Sequence, residues 1–284
     1  MCPLCHDTYW KPVTVEGVER VVRCDCWRTD AVSRVLQEAR IPPRFTRATL
    51  ETFEHGTNAQ LAAWRKATAF VEAFPNVDRG ILFYGPHGVG KTHLAVAVLR
   101  EVIRTKGARG LFYDTRDLLK VIRSTYDPAN RVEERDVLRP VMDAELLVLD
   151  DLGAERTTDW VDETLNLIVN TRYSEKRLTI FTSNYDLIPD ETDPRSLLCR
   201  VGARMLSRLH EMCDFIHVDG ADYRELPPNG GVDDLMTMWK LRAKASRKPS
   251  LPSRAAGQAR AQLRDREPGD GKADLKWSGG RAGS

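Results

Sequence analysis

Residues Gly85-Pro86-His87-Gly88-Val89-Gly90-Lys91-Thr92 read G-x-x-x-x-G-K-T, a spacing whose chemistry suits a polyphosphate. Its glycines let backbone N–H groups turn inward around phosphate oxygens, Lys91 can reach the β and γ phosphates, and the Thr92 hydroxyl can ligate Mg²⁺. His87 fills a variable position and is expected to face solvent. The run implies bound ATP or GTP. A second run, Leu146-Leu147-Val148-Leu149-Asp150-Asp151, is an apolar strand ending in two carboxylates, the Walker B pattern. Asp150 is expected to hold the Mg²⁺ hydration shell at the strand's C-terminal end, and Asp151 to orient or deprotonate the attacking water. Asp151 is one methylene shorter than the glutamate more usual there, so slow hydrolysis is expected. A glycine turn or a strand ending in a polar turn would explain either run alone, but the two support each other. A third run, Leu178-Thr179-Ile180-Phe181-Thr182, ends at Ser183-Asn184 and sets a neutral amide at another strand tip. Asn184 is the candidate to position the lytic water, although Ser-Asn by itself is only a turn signal.

Further on, Arg195, Arg200, Arg204 and Arg208 share a helical pattern with Leu198, Val201, Met205, Leu206 and Leu209. Charged helix faces are usually just solvated. A γ-phosphate in an oligomer, however, needs a cation from the neighbouring subunit, and arginine offers a planar fork suited to it. No Asn-Lys-x-Asp segment of the kind that reads guanine is present, so ATP is preferred to GTP.

Six cysteines occur, and Cys2, Cys5, Cys24 and Cys26 form a C-x2-C then C-x-C arrangement. Four thiolates from two close pairs can surround Zn²⁺ tetrahedrally, whereas free surface thiols are the bland alternative. The second pair is one residue tighter than the usual knuckle, which makes His6 a candidate to replace one cysteine. Between the pairs, runs at 9–11 and 18–23 flank Glu16-Gly17 and predict a hairpin in a segment too small to fold without metal. Cys199 and Cys213 read as small packing residues.

These groups need a frame. Strands are expected at 81–84, 110–113, 146–149, 178–182 and 215–218 with helices between, which predicts a parallel five-stranded sheet covered on both faces. A helix is expected at 29–40, stopped by Ile41-Pro42-Pro43, then an arm, then a helix that Asn58 can cap. Residues 92–106 carry Leu94, Val98 and Val102 on one stripe, so the phosphates would sit at a helix N-terminus. The expected division is a metal module at 1–28, a helix and arm at 29–57, the nucleotide domain at 58–224, and a mostly disordered tail at 225–284 that holds at most a short helix at 233–245. With 284 residues, 42% hydrophobic and 30% charged, the chain is an ordinary globular protein. Its net charge of +2 provides no global field, so any nucleic-acid contact must be local. No apolar run approaches the roughly 18 residues needed to cross a bilayer, and no signal-peptide core opens the chain, so a cytoplasmic protein is expected.

Over residues 40–224 the chain resembles the DnaC/IstB-type AAA+ ATPases, a family of bacterial helicase loaders and ATP-dependent helpers of certain transposases. The resemblance rests on 85–92, on Asp150-Asp151-Leu152-Gly153, on Thr182-Ser183-Asn184 as sensor 1, and on Gly202-Ala203-Arg204-Met205-Leu206-Ser207-Arg208-Leu209 ahead of Asp222-Tyr223-Arg224. It implies a P-loop ATPase with Arg208 as the arginine finger, Arg204 on the adjoining turn, and no helical lid after the last strand. The cysteine segment is similar to the zinc-bearing, helicase-binding N-domain of DnaI-like loaders, although Cys24-Asp25-Cys26 is tighter than that pattern. The implied role is loading of a replicative DNA helicase, with self-association through the ATP site and binding to single-stranded DNA. The alternatives are a transposition helper that remodels target DNA and a non-hydrolysing scaffold gated by ATP.

Overall fold

The computed structural model describes residues 2–246 except 7, 9, 16–17, 25, 128–131, 156–157 and 229. Its first element is the expected hairpin, β1 (Trp10–Val15) against β2 (Val18–Arg23), antiparallel with Trp10 opposite Arg23. The first strand runs beyond the expected 9–11 and carries Pro12 opposite Val21. A two-stranded ribbon leaves an edge of each strand open, so proline breaks no central ladder there. Helix α1 (Cys26–Glu38) starts at the last cysteine of the cluster, earlier than 29, and a boundary after 28 therefore falls inside it. Just past α1, the Ala39 carbonyl accepts the Phe112 N–H at 2.8 Å.

Helix α2 (Asn58–Ala73) is capped by Thr57 rather than by Asn58. Thr57 accepts from the Gln60 N–H while Gln60 reaches back to the Thr57 N–H, a reciprocal capping box that one residue's shift would break. Then follow β3 (Gly80–Tyr84), α3 (Lys91–Lys106), β4 (Gly110–Asp114), α4 (Thr115–Ser124), α5 (Glu134–Asp143), β5 (Leu146–Asp150), α6 (Asp159–Ser174), β6 (Leu178–Ser183), α7 (Leu197–Met212), β7 (Cys213–His217) and α8 (Val232–Ser246). The last strand begins at Cys213, two residues ahead of the expected 215.

The five strands β3 to β7 form one parallel sheet in the order β4-β5-β6-β3-β7. Side chains alternate across it as strand geometry requires. Ile81, Phe83, Val148 and Ile180 face one core with α2 and α3, whereas Leu82, Leu147, Leu149 and Phe181 face the other with α4 to α7. The helices that follow β3 and β6 therefore leave on opposite faces. Neighbouring strands whose connections diverge in this way open a crevice at their C-terminal ends, where ligands of open α/β sheets bind.

Arg172 of α6 is fully buried, with no carboxylate partner among the described residues. It donates to the carbonyls of Val141, Met142, Ala144 and Leu178 and to the Thr179 hydroxyl, joining the end of α5 to the start of β6. Arg195, expected within the arginine-bearing helix, precedes it: α7 is capped by Ser196, and Arg195 pairs with Asp193 at 2.8 Å. The chain divides into a compact unit, Met1–Lys240, and a second, Leu241–Ser284. The first runs past the expected boundary at 224, because Leu235 and Met236 of α8 pack with Ala221. Of the expected disordered tail, 247–284 lie outside the described residues. Among the described residues no helix is long and apolar enough to cross a membrane.

Candidate nucleotide site

The phosphate loop leaves β3 and enters α3 through three glycines with positive φ: Gly85 (131°), Gly88 (74°) and Gly90 (101°). All three also leave no room for a side chain, a Cβ on Gly85 falling 2.3 Å from the Val218 carbonyl oxygen. A Cβ on Gly88 would lie 1.7 Å from the Asp222 carboxylate, and one on Gly90 would lie 2.5 Å from the Phe53 ring. His87 is exposed, as expected, and Val89 is buried beneath the loop. Lys91 opens α3 and is itself buried, with Nζ donating to the carbonyls of Gly85 (2.8 Å) and Pro86 (2.6 Å). Burial lowers its pKa to about 8 against the opposing pull of Asp151 and Asp150, so an incoming polyanion would favour its charged form.

Asp150 ends β5 and is almost wholly buried. One of its oxygens accepts from the Thr92 hydroxyl at 2.9 Å and from the Thr182 hydroxyl at 2.6 Å, which brings P-loop, Walker B strand and sensor strand onto one atom. Burial pushes its pKa up to about 6, with the two hydroxyl bonds pulling the other way. Asp151 follows at φ 58°, a left-handed conformation unusual for a residue with a Cβ, held by its N–H to the Thr182 hydroxyl at 2.9 Å. Its carboxylate accepts the Asn184 side-chain amide and lies 4.0 Å from the Arg116 guanidinium. The expected pair of water-handling groups is thus in direct contact.

A cavity of about 540 Å³ opens over these groups, lined by the P-loop from His87 to Thr92 and by Asp150, Asp151, Thr182 and Asn184. Arg224 also lines it, and its charge acts against that of Lys91, which marks a cation of the same chain facing the phosphate position. The signal for Arg224 was present in Asp222-Tyr223-Arg224, whose backbone returns to the loop through the Tyr223 N–H to the Gly88 carbonyl at 3.0 Å. Arg44, Phe45 and Phe53 from the arm and His93 from α3 also line the cavity, and local periodicity could not assign them to the site. Arg204 is exposed and Arg208 half-buried on α7, and neither lines the cavity.

The four N-terminal sulfurs lie within 4.8 Å of one another, Cys2 to Cys24 at 3.8 Å and Cys5 to Cys26 at 3.2 Å. A tetrahedron with Zn–S of about 2.3 Å has edges of roughly 3.8 Å, so the donor set fits this metal. The separations far exceed the roughly 2.05 Å of a disulfide, and all four are free thiols. His6 is exposed and stands outside the cluster, which the four cysteines complete without it.

The raised Asp150 pKa has a thermodynamic consequence with a definite sign. Between pH 3.8 and about 6 the unfolded chain has released this proton while the folded chain keeps it, so stability falls across that window and the penalty is complete above it. Asp150→Asn should therefore stabilise the nucleotide-free protein at pH 7.5 by up to about 3 kcal/mol, following 1.36 kcal/mol per pKa unit. The gain should vanish near pH 4. Urea unfolding of both proteins across this range measures it, and a pH-independent difference would contradict the burial argument.

Comparison with known proteins agrees with this geometry. The family model described as IstB-like ATP binding protein matches residues 16–227. The replicative helicase loader DnaC of Escherichia coli (strain K12) is 27% identical over 160 residues, 56% of this chain and 64% of that protein. The replicative helicase loader DnaI of Bacillus subtilis (strain 168) is 28% identical over 187 residues, 62% of this chain and 58% of that one. The chain thus spans less than two thirds of the length of either relative. Among solved structures, a crystal structure of the DnaC helicase loader superposes with a TM-score of 0.56 at 34% identity, covering 63% of this chain and 100% of that one. A crystal structure of DnaI, at TM-score 0.54 and 24% identity over 64% of this chain and 94% of that one, shares the fold. With matching sequence, sheet and phosphate loop, the chain belongs to the IstB-like ATP-binding protein family.

Proposed function

We propose that this protein is a Mg²⁺-dependent AAA+ ATPase that loads a replicative DNA helicase, assembling on the helicase and on single-stranded DNA in the cytoplasm. The observation that carries the nucleotide part is the convergence of Thr92, Asp150 and Thr182 on one carboxylate oxygen, with Lys91 and the Asp151–Asn184 pair beside it. The loading role comes from the relatives' names and from the cysteine module.

ATP binds with its phosphates in the loop 85–92, where Lys91 leaves the Gly85 and Pro86 carbonyls to meet the β and γ phosphates. Bound Mg²⁺ would be held by Thr92 and Asp150 and would neutralise charge on the β and γ oxygens. Asp151 accepts a proton from the attacking water, and Asn184 fixes that carboxylate and the water in line with the γ-phosphate. Arg224 supplies a cation from the same chain. Because Arg204 and Arg208 stand away from their own cavity, they are suited to reach the nucleotide of a neighbouring subunit, which makes turnover depend on self-association.

Zn²⁺ bound by Cys2, Cys5, Cys24 and Cys26 would cross-link the hairpin to the start of α1. That module exposes Leu4, Trp10 and Val21 to solvent, apolar side chains suited to a protein partner such as the helicase. For single-stranded DNA, the surface offers Arg123 stacked 4.5 Å over the Trp160 ring with Tyr126 edge-on to it. Bases stack on such aromatic and guanidinium faces without sequence preference. A transposition helper would use the same ATP site, but the loaders among the relatives favour loading.

Lys91→Ala should lose ATP binding, and Asp151→Asn should bind ATP without turning it over. Arg208→Ala should bind normally and hydrolyse poorly, by a factor of about 10³, the lower end of what arginine fingers contribute. Mixed with Lys91→Ala it should regain turnover, since one mutant keeps the site and the other the finger. Steady-state ATPase assays read all of these. Turnover absent from the wild type would leave the ATP-gated scaffold instead, and full activity in Lys91→Ala would overturn the site.

Elemental analysis should find about one zinc per chain, as a single four-coordinate site requires. Replacing Cys2 and Cys5 together should remove it and spare ATP binding. Folded wild-type protein free of metal would contradict the zinc assignment.

A further inference from the structure

Arg200 lies on the first turns of α7, between the nucleotide site and the arginines proposed to act across the subunit boundary. Its guanidinium carbon sits 4.6 Å over the Tyr185 ring, and Nη2 donates to the Tyr185 hydroxyl at 2.8 Å. Tyr185 immediately follows Asn184. On the other side, a Cβ on Gly153 would lie 3.0 Å from the Arg200 Cβ, so the turn after Asp151 also packs on this residue. Gly153 holds φ 87° as well, so larger residues are disfavoured there on two counts.

Those contacts end a continuous chain of bonds from the catalytic carboxylates. Leu152 N–H donates to the Thr182 carbonyl at 2.8 Å, the Ser183 hydroxyl donates to the Leu152 carbonyl at 2.9 Å, and Tyr185 N–H donates to the Ser183 hydroxyl at 3.2 Å. The start of α7 is tied to the same strand end, since Leu197 N–H donates to the Asp186 carbonyl at 2.8 Å. Two residues beyond Arg200 the helix breaks at Gly202, whose φ of 75° and ψ of 159° are not helical. After the break come Arg204 and Arg208. The Gly202 position has open space around it, so the break is a backbone conformation permitted by glycine rather than a packing requirement.

Arg200 is half-buried, unlike the fully buried Arg172, and the two differ in a telling way. Arg172 finds an acceptor for each of its three nitrogens, whereas Arg200 Nε is buried with no hydrogen-bond partner among the described residues. A desolvated donor without an acceptor weakens the case for a purely stabilising role and points to one for which that cost is tolerated.

We infer that Arg200 is a positioning residue: stacked on Tyr185 and packed against Gly153, it sets the angle at which the segment beyond Gly202 presents Arg204 and Arg208 to the neighbouring subunit's ATP. The state of the Asp151–Asn184 pair in one subunit thereby governs the finger that the same subunit offers to the next. This inference rests on the proposed action of Arg208 across the boundary.

The test uses the full-length chain and subunit mixing. Arg200→Met keeps the bulk of the stem but removes the planar cation. It should bind ATP with wild-type affinity and lose about 10- to 100-fold in kcat, the scale of an ångström-sized misplacement. Arg200→Lys, which keeps a cation near Tyr185, should recover part of that loss. Mixed with Lys91→Ala, which has intact fingers, Arg200→Met should regain turnover; mixed with Arg208→Ala, it should not. The reverse pattern, or loss of ATP affinity in Arg200→Met, would show that Arg200 serves its own site and would overturn the inference, as would wild-type turnover. Failure of the control mixture of Arg208→Ala with Lys91→Ala would instead refute the finger itself.

Discussion

The structure depends on keeping a carboxylate, Asp150, out of water at the end of a strand. A charge there is costly unless something meets it, and among the described residues the Thr92 and Thr182 hydroxyls hydrogen-bond it. Their bonds draw three segments distant in sequence to a common oxygen, and the raised pKa records how incompletely they offset the burial. A site that lacks its full complement of positive charge is poised for a cation and for the polyphosphate that brings it. The β3-β6-β5 arrangement provides the means, because it aligns the C-terminal ends of all three strands at one edge.

From that edge, order spreads through backbone and hydroxyl bonds rather than through charge. Thr182 holds both Asp150 and the strained Asp151, and Ser183 joins the next turn to the sensor strand. The start of α7 hangs on the same strand end, which ties the helix carrying Arg204 and Arg208 to β6. The N-terminal module is built on another principle: four sulfurs, a hairpin and the first turn of α1 stand in for an apolar core.

Much of this was legible in the sequence, and for physical reasons. The glycines of the phosphate loop are needed because φ is positive at Gly85, Gly88 and Gly90, and the apolar runs ending in Asp150 and Ser183 had to be buried strands. Thr57 was missed as a cap although Gln60 three residues on completes a Thr-x-x-Gln capping-box pattern, because Asn58 next to it is an equally good capping residue by type. Arg195 looked like a member of α7 because charge spacing alone does not reveal that Ser196 caps the helix. The part of the cavity wall made by Arg44, Phe45 and Phe53 was illegible: it forms only when the arm folds against the loop, a contact that leaves no local period. The break at Gly202 was likewise hidden, since a single glycine within an apolar helical pattern is ordinarily just a weak point.

The central claim is that Thr92 and Asp150 form the metal-holding edge of an ATP site. Calorimetric titration of a slowly hydrolysed ATP analogue, with Mg²⁺ and then with a chelator, tests it most directly in the wild type and in Thr92→Val. The account predicts tighter binding with Mg²⁺ in the wild type and loss of that increment alone in Thr92→Val, with chelator-state affinity retained. Equal affinity with and without Mg²⁺ in the wild type, or an undiminished Mg²⁺ increment in Thr92→Val, would contradict it.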